Sequence, residues 1–315
     1  VIVVLTGGTG GAKLVDGLAQ VVPQQELAII VNTGDDLKWW GLSVSPDIDS
    51  IVYVLAGLLS KERGWGFKGD TFFCLQTMAE LREQAWFKVG DRDLAIHLLR
   101  SKLLAEGRTL TEATREICSR LGVQARVLPM SNCRIETRIE TAIGELSFEE
   151  YFVKRRYQDK VLSVRFAGAQ DAEPASGVLD AILSADAVIV APSNPVTSIG
   201  PILAVPKIRQ ALRDTSAQIV AVSPIIGEAA VSGPAADLME SQGLPISIAG
   251  VAQAYEDFLD VLVVDAADEE AGRHLERSGL RVHCCNTIMR TDDDKANLAK
   301  EVLAQIAVPA GSGQS

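Results

Sequence analysis

Three observations predict an α/β fold: a doubly wound, mainly parallel Rossmann-like sheet. The chain opens on a short apolar run, Val1–Leu5, which passes at once into a glycine-rich turn and then a segment with Leu14, Leu18 and Val21 on one helical face. Apolar runs of strand length return after residue 174, at Ala187–Val190, Ile219–Val222, Val261–Val264 and Arg281–Cys284, alternating with helical periodicity. Residues 65–166 follow a different pattern, first helical and then short-stranded, which marks a helical plus small antiparallel β insertion. The expected organisation is therefore a core of 1–64 and 167–307, a cover of 65–166, and a tail of 308–315 that is disordered by composition.

The 315 residues suffice for one large α/β domain with an insertion, or for two small domains. A hydrophobic fraction of 47% and a charged fraction of 23% are those of an ordinary soluble protein. The net charge of −11 argues against non-specific nucleic-acid binding, although a local loop can still take an anion. No apolar run approaches the roughly 20 residues that span a bilayer, and no signal peptide is visible, so no membrane association is expected. Five cysteines without C-x-x-C spacing indicate a reduced, cytoplasmic protein, and three scattered histidines make a zinc site improbable.

The first loop reads Thr6-Gly7-Gly8-Thr9-Gly10-Gly11-Ala12-Lys13. Strand, glycine turn and helix together aim free N–H groups and a positive dipole end at a phosphate. It is neither G-x-G-x-x-G nor G-x-x-x-x-G-K-[ST], since Leu14 stands where the magnesium-binding hydroxyl would be. The second strand, Leu27–Val31, ends in Asn32-Thr33-Gly34-Asp35-Asp36, and Ser45-Pro46-Asp47-Ile48-Asp49 follows. The spacing of Ile51, Val52, Leu55 and Leu58 places those last aspartates at a helix N-terminus, where one acts as a cap. Two of them, beside Asp35-Asp36, exceed that need and point to metal binding or proton transfer. Trp39, Trp40 and Trp65 fall in loops, where they either pack locally or face a planar ring.

Helices are expected over Thr71–Gln84, from Gly90-Asp91-Arg92-Asp93 through Leu104, and from the capping box Thr109–Glu112 to near Gly122. Asp91 or Asp93 serves as a cap there, leaving Arg92 free. Val127–Pro129, Ile135–Thr141, Leu146–Tyr151 and Val161–Phe166 are expected to form the small antiparallel sheet. Beyond it, Pro192–Pro201 precedes a helix over Ile202–Leu212, Ser223–Gly227 closes the next strand, and a last helix covers Lys295–Ala307. In doubly wound sheets ligands collect outside the carboxyl ends of the strands. Here those ends carry the glycine turn, Asn32–Asp36, Ser193–Gly200 and Ser223–Gly227.

Taken in order, Gly7–Lys13, Asn32–Asp36, Ser45–Asp49, Gly90–Asp93, Pro192–Leu203 and Ser223–Gly227 resemble the 2-phospho-L-lactate transferase family, over Val1 to about Met289. The resemblance implies a step in coenzyme F420 biosynthesis. The ribityl hydroxyl of the deazaflavin Fo would attack the phosphorus of a guanosine-diphospho donor bearing phospho-lactate, or its enolpyruvyl or glyceryl analogue, and release GMP. It also implies dependence on Mg2+ and, at family level, a homodimer.

The residues fit that chemistry. Gly7, Gly8, Thr9, Gly10 and Gly11 supply backbone donors for a diphosphate, with Lys13 as a point charge, and Ser193, Asn194 and Ser198 form a second set of phosphate or nucleotide contacts. Asp36, Asp47 and Asp49 are the candidate metal ligands, and Asp47 or Asp49 the candidate proton acceptor. The resemblance places Fo contacts at Asp47 or Asp49 and at Arg92, while Trp65 or Trp39 offers stacking surface. Where many members have His-Gly after the Asp-Asp pair, this chain has Trp40-Gly41. A nucleotide-sugar-binding regulatory protein of the same superfamily is the alternative. An NAD-dependent oxidoreductase is disfavoured by the missing G-x-G-x-x-G spacing.

Overall fold

Near-continuous Val, Ile and Leu runs are what a parallel strand needs when both of its faces are covered. In the computed structural model, which describes residues 1–227, 229–231 and 233–306, seven such strands form the central sheet. They are β1 (Ile2–Thr6), β2 (Leu27–Val31), β3 (Arg126–Pro129), β4 (Ala187–Val190), β5 (Gln218–Val222), β6 (Val261–Asp265) and β7 (Arg281–Cys285). Their order is β3-β2-β1-β4-β5-β6-β7, and every neighbouring pair is parallel.

The period-two alternation of strand side chains divides the core. Val4, Ile29 and Val31 face one layer, with Leu14 and Leu18 of helix α1 (Thr9–Val21), Ile51 and Val52 of α2 (Pro46–Leu55), and Leu298 near the C-terminus. Val3, Leu5 and Ile30 face the opposite layer, against Ile182, Ile199, Ile208 and Leu238. The chain builds outward from β1 through β2 to β3, then returns to place β4 on the other flank of β1. The loops after β1 and β4 therefore open apart at the switch point, which is where a crevice forms.

The cover has two parts. The first is α3 (Phe73–Glu80), α4 (Asp91–Ala105) and α5 (Leu110–Arg120), the last opening with the predicted capping box of Thr109 and Glu112. The second is an antiparallel sheet of Glu136–Thr141, Gly144–Ser147 and Val161–Ala167. Val127–Pro129 was expected in that small sheet. It belongs instead to β3, the edge of the central sheet, because its buried residues pair in parallel with β2.

Other boundaries shift for local reasons. The stretch Leu146–Tyr151 leaves the small sheet after Ser147 and turns into a short π-helix, Glu150–Lys154. The single helix expected over 202–212 is two, α6 (Val178–Leu183) being followed by α7 (Ile199–Ala204) and α8 (Pro206–Asp214). Pro206 cannot continue the i to i−4 ladder and starts a new helix instead. The N-cap of α4 is Gly90 rather than an aspartate. Asp70 accepts from the N–H groups of Arg92 and Asp93, while Asp91 accepts from those of Phe73 and Cys74, so each helix start is capped from the other. Later helices are α9 (Ala235–Ser241), α10 (Ile248–Ala254), α11 (Glu269–Arg277) and α12 (Asp292–Ala304). The tail 308–315 and Ala307 lie outside the described residues. Among the described residues no helix is long and apolar enough to cross a membrane.

Candidate active site

At the switch point the first turn of α1 has Gly8 as its N-cap and no side-chain cap, so its amide N–H groups remain available to a ligand. Glycine is required there by close approach. A Cβ on Gly8 would lie 2.4 Å from Asp47 Oδ1, and one on Gly7 would lie 2.5 Å from the Ser198 side chain. Ser193 Oγ accepts from the Gly7 N–H at 3.2 Å, which ties the loop after β4 to the loop after β1. Asn194 Oδ1 accepts from Val196 and Thr197, so this side chain also shapes its own turn.

These loops border a cavity of about 760 Å³. Gly8, Thr9, Gly10 and the exposed Lys13 line it on the β1 side, with Ser193, Asn194 and Ser198 after β4. The first turns of α2 and α4 form another wall, and Phe148, Glu149 and Phe152 come from the small-sheet cover. The structure thus brings all nine predicted phosphate and nucleotide residues to one place, with Gly7 and Gly11 just behind the cavity surface.

The acids divide into two groups. In the first, Asn32 Nδ2 donates to Asp35 Oδ2 and to Asp47 Oδ2, both at 2.9 Å, and Ser45 Oγ donates to Asp36 Oδ2 at 2.7 Å. Oδ1 of Asp35 and Oδ1 of Asp36 are buried without a hydrogen-bond partner. Burial is the main cause that pushes the Asp36 carboxyl up to about 8, Asp47 up to about 6 and Asp35 well above the usual range. Glu149, from the cover, is pushed up to about 8 by burial and then by Asp47 and Asp36. Among the described residues no lysine or arginine pairs with Asp35, Asp36 or Asp47. Hard oxygen donors suit a divalent cation such as Mg2+, and two of these oxygens are unpaired, but Asp36 lies outside the cavity lining and Asp35, Asp36 and Asp47 do not bring three ligand atoms within 4.8 Å of one another.

The second group is self-contained. Arg100, fully buried on α4, sets its guanidinium against both oxygens of Asp49, with Nη1 at 3.1 Å from Oδ2. His97 Nδ1 lies 3.5 Å from Asp49 Oδ2, and His97 Nε2 lies 3.5 Å from Asp93 Oδ1. Tyr53 Oη donates to the same Asp93 oxygen at 2.5 Å. Asp49, Asp93 and His97 each offer a ligand atom within 4.8 Å of the others. The positive charge there is already supplied by Arg100, whose guanidinium engages Asp49. Asp49, expected as a metal ligand and proton acceptor, has both oxygens engaged by a guanidinium. Burial lowers His97 to about 4 and raises Asp93 to about 7, so the imidazole is neutral at pH 7.

Two expected ring contacts lie elsewhere. Trp39 is buried in an aromatic cluster, edge-on to Trp86 with centroids 4.9 Å apart, and offers no free face. Arg92 is exposed, its guanidinium 5.9 Å from the Phe67 ring centroid and 3.5 Å from the Lys68 carbonyl, outside the cavity lining. Trp65 does line the cavity, with the Arg63 guanidinium 5.4 Å from its ring. Trp86, Phe87, Phe148 and Phe152 also reach the cavity and were not singled out from sequence. Nor was the Asp93, His97, Arg100 series, although spacings of four and three put it on one face of α4.

A family model described as 2-phospho-L-lactate transferase CofD matches residues 2–304. The chain is 40% identical over 305 residues to a 2-phospho-L-lactate transferase of Methanococcoides burtonii, covering 97% of this chain and 99% of that one. It is also 40% identical to the enzyme of that name from Methanocaldococcus jannaschii, covering 96% and 97%. Identity is 40% again with a phosphoenolpyruvate transferase of Streptomyces griseus, at the same coverage. A crystal structure of a UPF0052 family protein from Bacillus halodurans shares the fold, with a TM-score of 0.65, 18% identity, and coverage of 96% of this chain and 98% of that one. A glycine turn facing buried acids at the switch point, and relatives of this likeness along nearly the whole chain, lead to one conclusion: the chain belongs to the CofD family of 2-phospho-L-lactate transferases.

Proposed function

We propose that this transferase moves a phospho-lactyl, phosphoenolpyruvyl or phosphoglyceryl group from a guanosine-diphospho donor to the terminal ribityl hydroxyl of Fo. A P–O bond forms to that hydroxyl as the P–O bond to GMP breaks. The observation that carries the reading is the Asp47 carboxylate lying against the uncapped glycine turn. A diphosphate on those amides stands beside a carboxylate able to take a proton from an attacking hydroxyl.

Residue roles follow from position. Gly8–Gly11 bind and orient the diphosphate, with Lys13 at its edge, while the Gly7 N–H is engaged by Ser193. Ser193 holds the two switch-point loops together, and Asn194 and Ser198 border the nucleotide side. Asp35 and Asp36, each with an unpaired oxygen, would hold Mg2+ beside Asp47, Asp35 at the cavity and Asp36 behind its lining. When bound, that ion offsets charge building on the leaving phosphate. Asp47 receives the hydroxyl proton, a modest contribution beside in-line positioning. Trp65 offers a ring face to the acceptor. A homodimer is carried as part of the proposal from the resemblance alone.

The test mixes the purified protein with Fo, Mg2+ and each of the three guanylated donors, and weighs the products. A phosphodiester-linked Fo together with GMP supports the reading. Donor hydrolysis alone, or no turnover with any donor, contradicts it. The relatives named as transferases disfavour the regulatory alternative.

A further inference from the structure

We propose that the cavity-facing side of Tyr53, Asp93 and His97 is a subsite for a run of adjacent hydroxyls. It would hold the chain that carries the attacking oxygen, and so it rests on the acceptor reading above. Helix α2 runs along the cavity from Asp47, at the glycine turn, to Tyr53, a distance of about 9 Å at a rise of 1.5 Å per residue. Tyr53 stands four residues after Asp49, and His97 four after Asp93, so each pair shares a helix face. The two faces meet in the buried network, and Asp49, Tyr53, Asp93 and His97 all line the cavity.

The chemistry of this wall selects its ligand. Tyr53 and His97 are each only 2% exposed, and His97 Nε2 has no hydrogen-bond partner. A buried polar atom left this way is unfavourable until something in the cavity meets it. An anion gains no cation here, since Arg100 is taken up by Asp49, and it meets the Asp93 carboxyl. A cation finds its place taken by Arg100. An apolar group leaves His97 Nε2 unmet. A neutral hydroxyl both donates and accepts, so it satisfies carboxylate, phenol and imidazole alike. Trp65, Trp86 and Phe87 line the same cavity, so a planar group attached to the chain has apolar surface to meet.

The probes are Fo and the same deazaflavin ring carrying a methyl group in place of the polyol chain, each titrated calorimetrically into wild type, Tyr53→Phe and His97→Gln. Thermal melting and binding of guanosine diphosphate report on folding of the variants. We expect each variant to bind Fo about tenfold more weakly while its affinity for the methyl analogue changes less than about twofold. Equal losses for both ligands, or no loss for either, overturn the subsite while leaving the acceptor assignment standing. Binding of neither ring by wild type overturns the acceptor assignment and the subsite with it. If both substitutions unfold the protein, Asp93→Asn, which keeps an acceptor for the Tyr53 hydroxyl, is read by the same comparison.

Discussion

Asp47 sits so close to Gly8 that a single added methyl group on that glycine would come within 2.4 Å of its Oδ1. The phosphate-type turn and the candidate proton acceptor are therefore one packed unit. Replacing Gly8 by Ala must displace Asp47 or bend the turn. We expect Gly8→Ala to lower both guanosine diphosphate affinity and turnover by at least about tenfold, with melting nearly unchanged because the site is at a cavity surface. Unchanged kinetics would show that the two groups work independently.

Asp47→Asn keeps an oxygen for the Asn32 amide and removes a half-buried charge. Turnover should fall by about a hundredfold or more, while the melting temperature holds or rises. Steady-state kinetics beside a thermal melt decides this, and full activity removes Asp47 from the chemistry.

Arg100 and Asp49 form a buried fork across α4 and α2. Arg100→Met leaves Asp49 as an unpaired buried charge and should destabilise the fold by about 3–5 kcal/mol in urea unfolding. Adding Asp49→Asn should recover much of that loss. Additive losses in the double variant would mean that the pair does not act as a pair.

Stability should also depend on pH in a defined direction. Asp36 and Glu149 are raised to about 8, so across neutral pH the folded chain keeps protons that the unfolded chain has lost. Their contribution is present below the ordinary carboxyl range and is lost as pH rises through those values. His97, lowered to about 4, acts the other way, adding stability as pH rises, but only up to the ordinary histidine value of about 6.5. Between about 6.5 and 8 the carboxyl groups act unopposed, and the metal-free protein should melt lower at pH 8 than at pH 6.5. Added Mg2+, which favours the ionised carboxylates, should raise the melting temperature more at pH 8. A flat profile, or larger Mg2+ stabilisation at the lower pH, contradicts the cation assignment.

The α/β alternation and the glycine turn were legible in the sequence because strand, turn and helix periodicity are local. The carboxylates of Asn32–Asp36 and Ser45–Asp49 were legible as a surplus over capping. What escaped depends on partners distant in the chain. Arg100 lies 51 residues from Asp49, and nothing near Asp49 announces that a guanidinium will occupy it. By sequence Val127–Pro129 groups with the short strands that follow it in the chain, yet it pairs with β2 as an edge of the central sheet, where Pro129 is tolerated. The sequence leaves Trp39 open between local packing and a ring contact, and the hairpin of Leu37–Trp39 with Leu42–Val44 folds it against Trp86. Glu149 was read as part of a strand and instead enters the cavity beside Asp47.

The most direct measurement is a crystal structure with guanosine diphosphate and Mn2+, the metal located by its anomalous signal. The diphosphate is expected on the amides of Gly8–Gly11, with the metal between it and the carboxylates of Asp35 and Asp47. Phosphates bound away from that turn, or a metal seated among Asp49, Asp93 and His97 instead, would contradict it.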